Sequence, residues 1–449
     1  MKSRRLFEKI FNTDFRRLRN EFYLNLPTPS KQQYSDYYWS CNKHFIFEYV
    51  NGRTITDNCF SNAGCSHRKI TGEKTEIRAS SVTSNKNKSS FQSLSYPKIS
   101  NNTFDSKKRL QMIQKAEKQL LNKSTIIEGL AFKWTTVENL TAILNSDGFA
   151  DIKTADLSHI SVNVTIRKNN GIFNGRHSAS FKTEKGLVDS GEIFKLIDNS
   201  CMDAENQSIA KNINSGMYEA VLSNQVSAVL MHEIIGHLME ADYLYNDLSV
   251  VKPFLNKELA SKELTITDSP LINHPVYFQF DDEGTEGRQT VLIENGRFVN
   301  ILTDRYHAIN MNIPLTGNGR RMDYNSNALP RMSNTIIEKG MFKFEELIKS
   351  MAAGVYITNL GNGNVNTESG LFNFIGADGF YVEKGEILYP VRNLQIFGNA
   401  LEILKSIEMI GNDSAVSQYH LNCEKEDQYI PVGFKQPSLK LRGLNLSNG

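Results

Sequence analysis

The chain has 449 residues, 40% hydrophobic and 22% charged, with 51 Lys and Arg against 49 Asp and Glu. That length suits roughly two or three domains with sizeable cores, and the near-balanced charge argues against a global field that would select nucleic acid or an anionic membrane. The five cysteines (Cys41, Cys59, Cys65, Cys201 and Cys423) are scattered and odd in number, a poor disulfide framework that fits a reducing cytoplasm, and no apolar run of about 18 residues predicts a membrane span.

Residues 1–33 read as a basic N-terminal extension. Its apolar residues are interrupted and it carries Glu8 and Asp14, which argues against a signal or transit peptide. Leu6, Phe7, Ile10, Phe11, Phe15, Leu18 and Phe22 fall on one helical stripe. The stripe predicts a helix docked on its own protein, on a partner subunit or on a membrane surface.

Residues 34–215 read as a mixed α/β domain. The run His44-Phe-Ile-Phe-Glu-Tyr-Val50, then Asn51-Gly52 and Arg53-Thr-Ile-Thr56, predicts a β-hairpin with a primed turn. Cys59, Cys65 and His67 lack the second matching pair that a structural zinc site would have. Residues 80–102, rich in Ser, Asn, Lys and Thr, read as a surface loop. Residues 105–123 predict an amphipathic helix capped by Asp105 or Ser106, with Leu110, Ile113, Leu120 and Leu121 as its buried face. Ile160-Ser-Val-Asn-Val-Thr-Ile166 alternates as a half-buried strand, and residues 190–213 predict another helix. This half shows no catalytic constellation of its own.

A boundary falls near Gly216, and residues 216–449 read as a β-rich domain carrying a distorted metal-binding helix. The whole is therefore expected to be α+β. Thr290–Val299 forms a hairpin across Asn295-Gly296, and residues 380–388 form another turning at Lys384-Gly385. Gly361-Asn-Gly-Asn-Val-Asn366 lacks the pattern of a phosphate loop and reads as a turn between strands.

The helix is the informative element. Residues 221–231 run into His232-Glu-Ile-Ile-Gly-His237, with Ser223 or Asn224 available as N-cap. Histidines four apart share one face of an α-helix, but a spacing of five turns the second through about 500°, roughly 140° out of line. Both imidazoles can face one metal only if the helix widens into a π-type turn, a distortion often found at functional sites. Gly236, without a Cβ, is where the backbone would widen or end most easily. A catalytic zinc wants about three protein ligands and an open position. Cys423, His420, Glu240, Asp242 and His307 are the candidates for the third, and Cys423, at the head of a polar segment between apolar ones, is the sharpest.

These motifs, in their order, resemble the TldD/PmbA family and within it the TldD branch. The resemblance rests on His232-Glu-Ile-Ile-Gly-His237, Asp281-Asp-Glu-Gly-Thr285, Thr290-Val-Leu-Ile-Glu-Asn-Gly296, Gly317-Asn-Gly-Arg-Arg321, Pro330-Arg-Met-Ser-Asn-Thr335, Met409-Ile-Gly-Asn-Asp413, and Cys423 with Gln428 and Pro431-Val-Gly433. It covers essentially residues 216–449 and is looser before them.

The resemblance implies a zinc peptidase acting on unfolded or modified peptides, with His232, His237 and Cys423 at the family's ligand positions and Glu233 at that of its catalytic glutamate. It also implies a heterodimer with a related, metal-free subunit, or a homodimer. Two departures stand out: Leu238 and Ala241 replace glycines usual after the second histidine, and Glu424-Lys-Glu-Asp427 replaces a glycine-containing loop. They leave open a second function, a metal-bound but non-hydrolytic subunit that captures a peptide for a partner enzyme. Arg320 and Arg321 could hold a peptide carboxylate or form structural ion pairs with nearby acids.

Overall fold

The computed structural model describes residues 2–24, 33–82, 106–121 and 126–448. The N-terminal stripe forms two helices, α1 (Lys2–Phe11) and α2 (Phe15–Leu24), and not the single helix that its spacing predicts. The chain breaks at Asn12, in the left-handed region at φ 48°, and Asp14 restarts it by accepting the Arg16 N–H at 2.8 Å. Phe7, Ile10 and Phe15 are buried against Trp39, Cys41, Leu140, Ala142 and Leu144. The stripe thus docks on its own protein.

What it docks on is an antiparallel sheet. Its strands are β1 (Gln33–Val50), β2 (Arg53–Thr71), β3 (Lys74–Ser81), β4 (Ile127–Asn145), β5 (Ala150–Lys168) and β6 (Gly171–Phe181), in the order β3-β2-β1-β4-β5-β6. The predicted turn at Asn51-Gly52 is present, both residues at positive φ, and the strands it joins run much further than the hairpin motif alone indicates. Residues 83–102 of the expected loop lie outside the described residues.

Strand alternation gives this sheet two different faces. Phe132, Trp134, Ile160, Val162, Val164 and Ile166 point into a core closed by α3 (Ser106–Leu121), α4 (Glu184–Asp189) and α5 (Glu192–Ile209). On α3 the buried face is Ile113, Ala116 and Leu120; Leu121, expected there, is 54% exposed at the helix end. The alternate residues of β1, β4 and β5 face the second half of the chain.

That half contains two seven-stranded sheets sharing one large core. In one, β7 (Gly216–Leu222) lies between Ala353–Asn359, parallel to it, and Leu439–Asn448. The other pairs Asn334–Ile337 in parallel with Gln428–Gln436, which hairpins back to Leu421–Lys425. The hairpins at Asn295-Gly296 and Lys384-Gly385 form as their sequences predict. Asn362–Val365, expected as part of a turn, is instead a short edge strand on Leu371–Glu383. Among the described residues no helix is long and apolar enough to cross a membrane.

Buried charge joins the halves. Arg68 reaches Asp36 and Glu283 at 2.5 Å each, and Arg321 reaches Asp36 at 3.3 Å, all with side chains at most 1% exposed. At the other end of the contact, Ser180 Oγ stands 2.9 Å from His159 Nδ1 and 2.8 Å from His420 Nδ1, and accepts the His420 N–H at 3.1 Å. One hydroxyl proton serves one imidazole, so the other donates to the same oxygen. The halves also enclose a cleft of about 790 Å³.

Burial pushes His159 down to about 4 and His420 down to about 3. Both lie below the ordinary histidine value of about 6.5. They therefore contribute stability that is present above about pH 6.5 and lost as pH falls toward the folded values. Burial raises Asp268 and Asp281 to about 6 and about 7, which acts in the opposite direction, so the informative quantity is a difference between variants. His420→Asn is expected to lower Tm at pH 7.5, with the deficit shrinking steadily toward pH 4.5, as measured by thermal unfolding across that range.

Candidate metal centre

Val221 and Leu222, which the sequence places in the helix, finish β7 because each pairs with the neighbouring strand, opposite Tyr356 and Ile357. The helix α6 (Asn224–Met231) starts one residue later, with Ser223 Oγ accepting the Val226 N–H at 3.2 Å. Ser227 Oγ ties it to Pro437 O at 2.7 Å. Over His232–Gly236 the helix opens into a π turn, then tightens to a 3-10 turn over His237–Met239. The widening required by the spacing is present, and the two imidazole centroids lie 5.2 Å apart. Gly236 serves it differently from the expectation. Its backbone is ordinary right-handed helix (φ −53°, ψ −57°), but a Cβ there would meet Met332 Sδ at 1.7 Å. The glycine is needed for close packing, not for conformational freedom.

Cys423 arrives from the opposite direction, on the strand Leu421–Lys425. Glu426 and Asp427, both left-handed at φ 48° and 59°, make the tight turn to Gln428. Alternation turns Cys423 and Lys425 inward and Asn422 and Glu424 outward. The Cys423 Sγ lies 3.2 Å from His237 Nε2, and the ligand atoms of His232, His237 and Cys423 lie within 4.8 Å of one another.

This donor set fits a metal. Both ring nitrogens of His232 are buried without a hydrogen-bond partner, an arrangement that costs energy unless something else satisfies them. Burial pushes the Cys423 thiol up, but His237 and His232 outweigh it and bring the group down to about 4. A thiolate is the form that binds a metal. Two imidazoles and a thiolate suit a tetrahedral site with one position open.

Glu240 and Asp242 stand behind this group and not in it. Glu240 Oε2 is 3.0 Å from His237 Nδ1, so it fixes which imidazole nitrogen faces the cluster. Lys425 Nζ lies 2.8 Å from Glu240 and 2.7 Å from Asp242, with the amine over the Tyr243 ring. Burial alone would raise Glu240, but Lys425 and His237 hold it down to about 2. Arg331, fully buried, donates to the Cys423 carbonyl at 2.6 Å. His307 is held by Asp304 at 2.5 Å, and His420 belongs to Ser180. Arg321 takes the structural alternative through Asp36, whereas Arg320 donates to the carbonyls of Met332 and Pro431.

Glu233 sits on the π turn between the histidines, half-buried. Among the described residues nothing hydrogen-bonds or ion-pairs with its carboxylate. The sequence reading gives Lys425 and Arg331 no role of their own. The signal for Lys425 was there: on a strand, the residue two after a buried cysteine shares its face.

Lys425→Met leaves Glu240 and Asp242 buried without their cation. It is expected to cost about 3–5 kcal/mol of stability by denaturant unfolding and roughly 10–100-fold in metal affinity by competition with a chromogenic chelator, zinc being the probe. Gly236→Ala is expected to destabilise by about 1–3 kcal/mol through overpacking against Met332.

Comparison with known proteins bears on what this centre belongs to. Residues 215–448 match the family model described as the PmbA/TldA metallopeptidase C-terminal domain. The chain is 39% identical over 233 residues to a metalloprotease TldD homolog of Buchnera aphidicola subsp. Schizaphis graminum, covering 52% of this chain and 48% of that one. It is 34% identical over 297 residues to a zinc metalloprotease TldD homolog of Saccharolobus solfataricus, covering 65% and 66%. The chain spans about half the length of the Buchnera relatives it matches. Among solved structures, TldE from Thermococcus kodakarensis superposes with a TM-score of 0.72 at 16% identity over 96% of this chain and 98% of that one. A Thermotoga maritima protein described as a candidate modulator of a DNA gyrase gives 0.76 at 21% identity over 96% and 99%. At such identities these two show the shared α+β fold alone. On the family match over residues 215–448, the chain belongs to the PmbA/TldD family.

Proposed function

We propose that the protein is a zinc-dependent peptidase that hydrolyses peptide bonds in unfolded or modified peptides, in the cytoplasm and as a dimer, either with a related metal-free subunit or with its own copy. The observation that carries this reading is the Glu233 carboxylate, unpartnered among the described residues, on the same π turn as His232, whose buried ring nitrogens make no hydrogen bond among them, with His237 and Cys423 grouped with His232. The relatives named as metalloproteases support it.

When bound, zinc supplies a Lewis acid that acidifies a water and polarises the scissile carbonyl. Glu233 would take a proton from the attacking water as its oxygen adds to the carbonyl carbon, and return it to the leaving nitrogen as the C–N bond breaks. His232, His237 and Cys423 would hold the metal, while Glu240 and Lys425 fix the His237 ring. A thiolate gives the metal more charge than an imidazole or a carboxylate does, so the Lewis acid is weaker and turnover is expected to be slow. Selectivity for unfolded chains follows from main-chain pairing: an extended peptide can add to a strand edge, and a folded protein cannot.

Purified protein loaded with zinc is expected to cleave an unstructured peptide library. Glu233→Gln should retain the metal and lose about 10²–10⁴-fold in rate. Cys423→Ser should lose metal as well as activity. Mass spectrometry of the products and metal analysis of each variant check both statements; zinc retained with no cleavage by the wild type would favour the capture function.

A further inference from the structure

The large cleft between the halves is lined by Asn422, next to Cys423, and by a buried cation, Arg320, that makes no ion pair among the described residues. Arg320, on the short strand Gly319–Arg320, is 7% exposed. Its Nη1 donates to Met332 O at 2.6 Å and its Nη2 to Pro431 O at 2.9 Å, and the guanidinium lies over the Phe278 ring at 5.2 Å. Among the described residues no carboxylate is within ion-pair distance of it, whereas Arg68, Arg321, Lys153 and Lys425 each have one. Burial pulls the Arg320 guanidinium down to about 10, so it remains charged at neutral pH. Among the described residues the rest of its donor fork has no protein acceptor. Asp282 and Asp268 act on it only through space, and a buried cation that no carboxylate contacts is costly, which gives the cleft a preference for a negative group.

Its position is informative. Met332 is the side chain packed on Gly236 in the π turn, and Pro431 pairs with Asn422, next to Cys423. Arg320 therefore bridges a segment packed on the π turn and the strand paired with that of Cys423, while lining the cleft. Of the acids lining the cleft, Asp282 is engaged by Lys153, Asp281 by the N–H groups of Glu283, Thr285 and Gly319, and Asp323 by Asn62 and Ser326, while Asp151 and Asp156 line it from β5. The cleft floor offers the neutral amides of Asn42, Asn62 and Asn139 beside aromatic rings, a surface suited to a peptide main chain.

We propose that this cleft takes a peptide by one of its carboxylates, with the Arg320 fork as the anchor. The planar guanidinium matches a carboxylate through two parallel N–H···O bonds. Anchoring there would fix how far along the chain the peptide presents a bond to the centre. The inference rests on the peptidase reading for that consequence, but the binding itself can be tested without turnover.

Three fluorescently labelled pentapeptides are titrated into zinc-loaded Glu233→Gln protein: one with a free C-terminal carboxylate, its C-terminal amide, and the amide carrying one internal Glu. The expected result is that at least one carboxylate-bearing probe binds about tenfold or more tightly than the plain amide. Which of the two does so identifies a chain end or a side chain as the source. Adding Arg320→Met should abolish that preference while amide binding persists, the two proteins being compared at matched zinc occupancy. Equal affinity for all three probes in the Glu233→Gln protein overturns the anchor, and this comparison stands even where Arg320→Met fails to fold. Loss of binding to all probes alike in a folded Arg320→Met protein also overturns it. A protein that keeps the preference but whose wild type cleaves nothing refutes the hydrolase reading alone.

Discussion

Two imidazoles five residues apart meet only where an α-helix gives up its regular winding, and the rest of the C-terminal half can be understood as what makes that concession affordable. A π turn has weaker local bonding than the helix around it and needs external support. Here the support is burial. Ile234, Ile235, Leu238 and Met239 are fully enclosed in the large core, and Met332 occupies the space left open by the missing Gly236 side chain. Packing therefore holds the helix in a shape that its hydrogen bonds alone would not choose. The unsatisfied His232 nitrogens are the remaining cost, and a metal is the partner that would remove it.

Buried charge does the positioning that apolar packing cannot. A core of aliphatic side chains tolerates small shifts, but a buried ion pair loses several kcal/mol when one partner is displaced, even though the pair as a whole adds little net stability. Lys425, Glu240 and His237 form such a chain behind the centre, and Asp36, Arg68, Glu283 and Arg321 form another between the halves. The second chain ties the N-terminal sheet to the segments that carry Glu283 and Arg321. The first sets the tautomer of an imidazole. Both specify geometry more than they contribute stability.

The sequence was most legible where period or spacing carries geometry. Alternation from Ile160 to Ile166, the primed turns at Asn51-Gly52 and Asn295-Gly296, and the π turn demanded by His232 and His237 all follow from local rules. What it hid depends on contacts between distant segments. No local rule tells that Val221 and Leu222 belong to a strand, since their partners, Tyr356 and Ile357, come more than a hundred residues later. Gly236 was singled out correctly but for the wrong reason, because Met332 is invisible from its neighbours. Leu121 looked buried by helical period, and the helix ended before its face was covered. Glu240 and Asp242 were candidates for the third ligand, and the structure sets them behind the group instead, paired with Lys425.

The two departures from the usual family pattern can be placed by the same physics. Leu238 and Ala241, where glycines are usual, are fully buried, so they add to the core that holds the π turn closed. The segment after Cys423 makes its turn with Glu426 and Asp427 in the left-handed region, conformations that glycine or asparagine adopts with less strain. Strain of that kind persists only where the surroundings over-determine it. Here the surroundings are Lys425, tied to Glu240 and Asp242 on one side of the turn, and Gln428, tied to Met322 and Asn327 on the other. Both departures thus exchange backbone freedom for fixed contacts close to the centre. A loop held in this way has little room to adapt, so on the proposed peptidase reading discrimination between peptides would fall to the cleft wall that the loop's hairpin shares with Arg320.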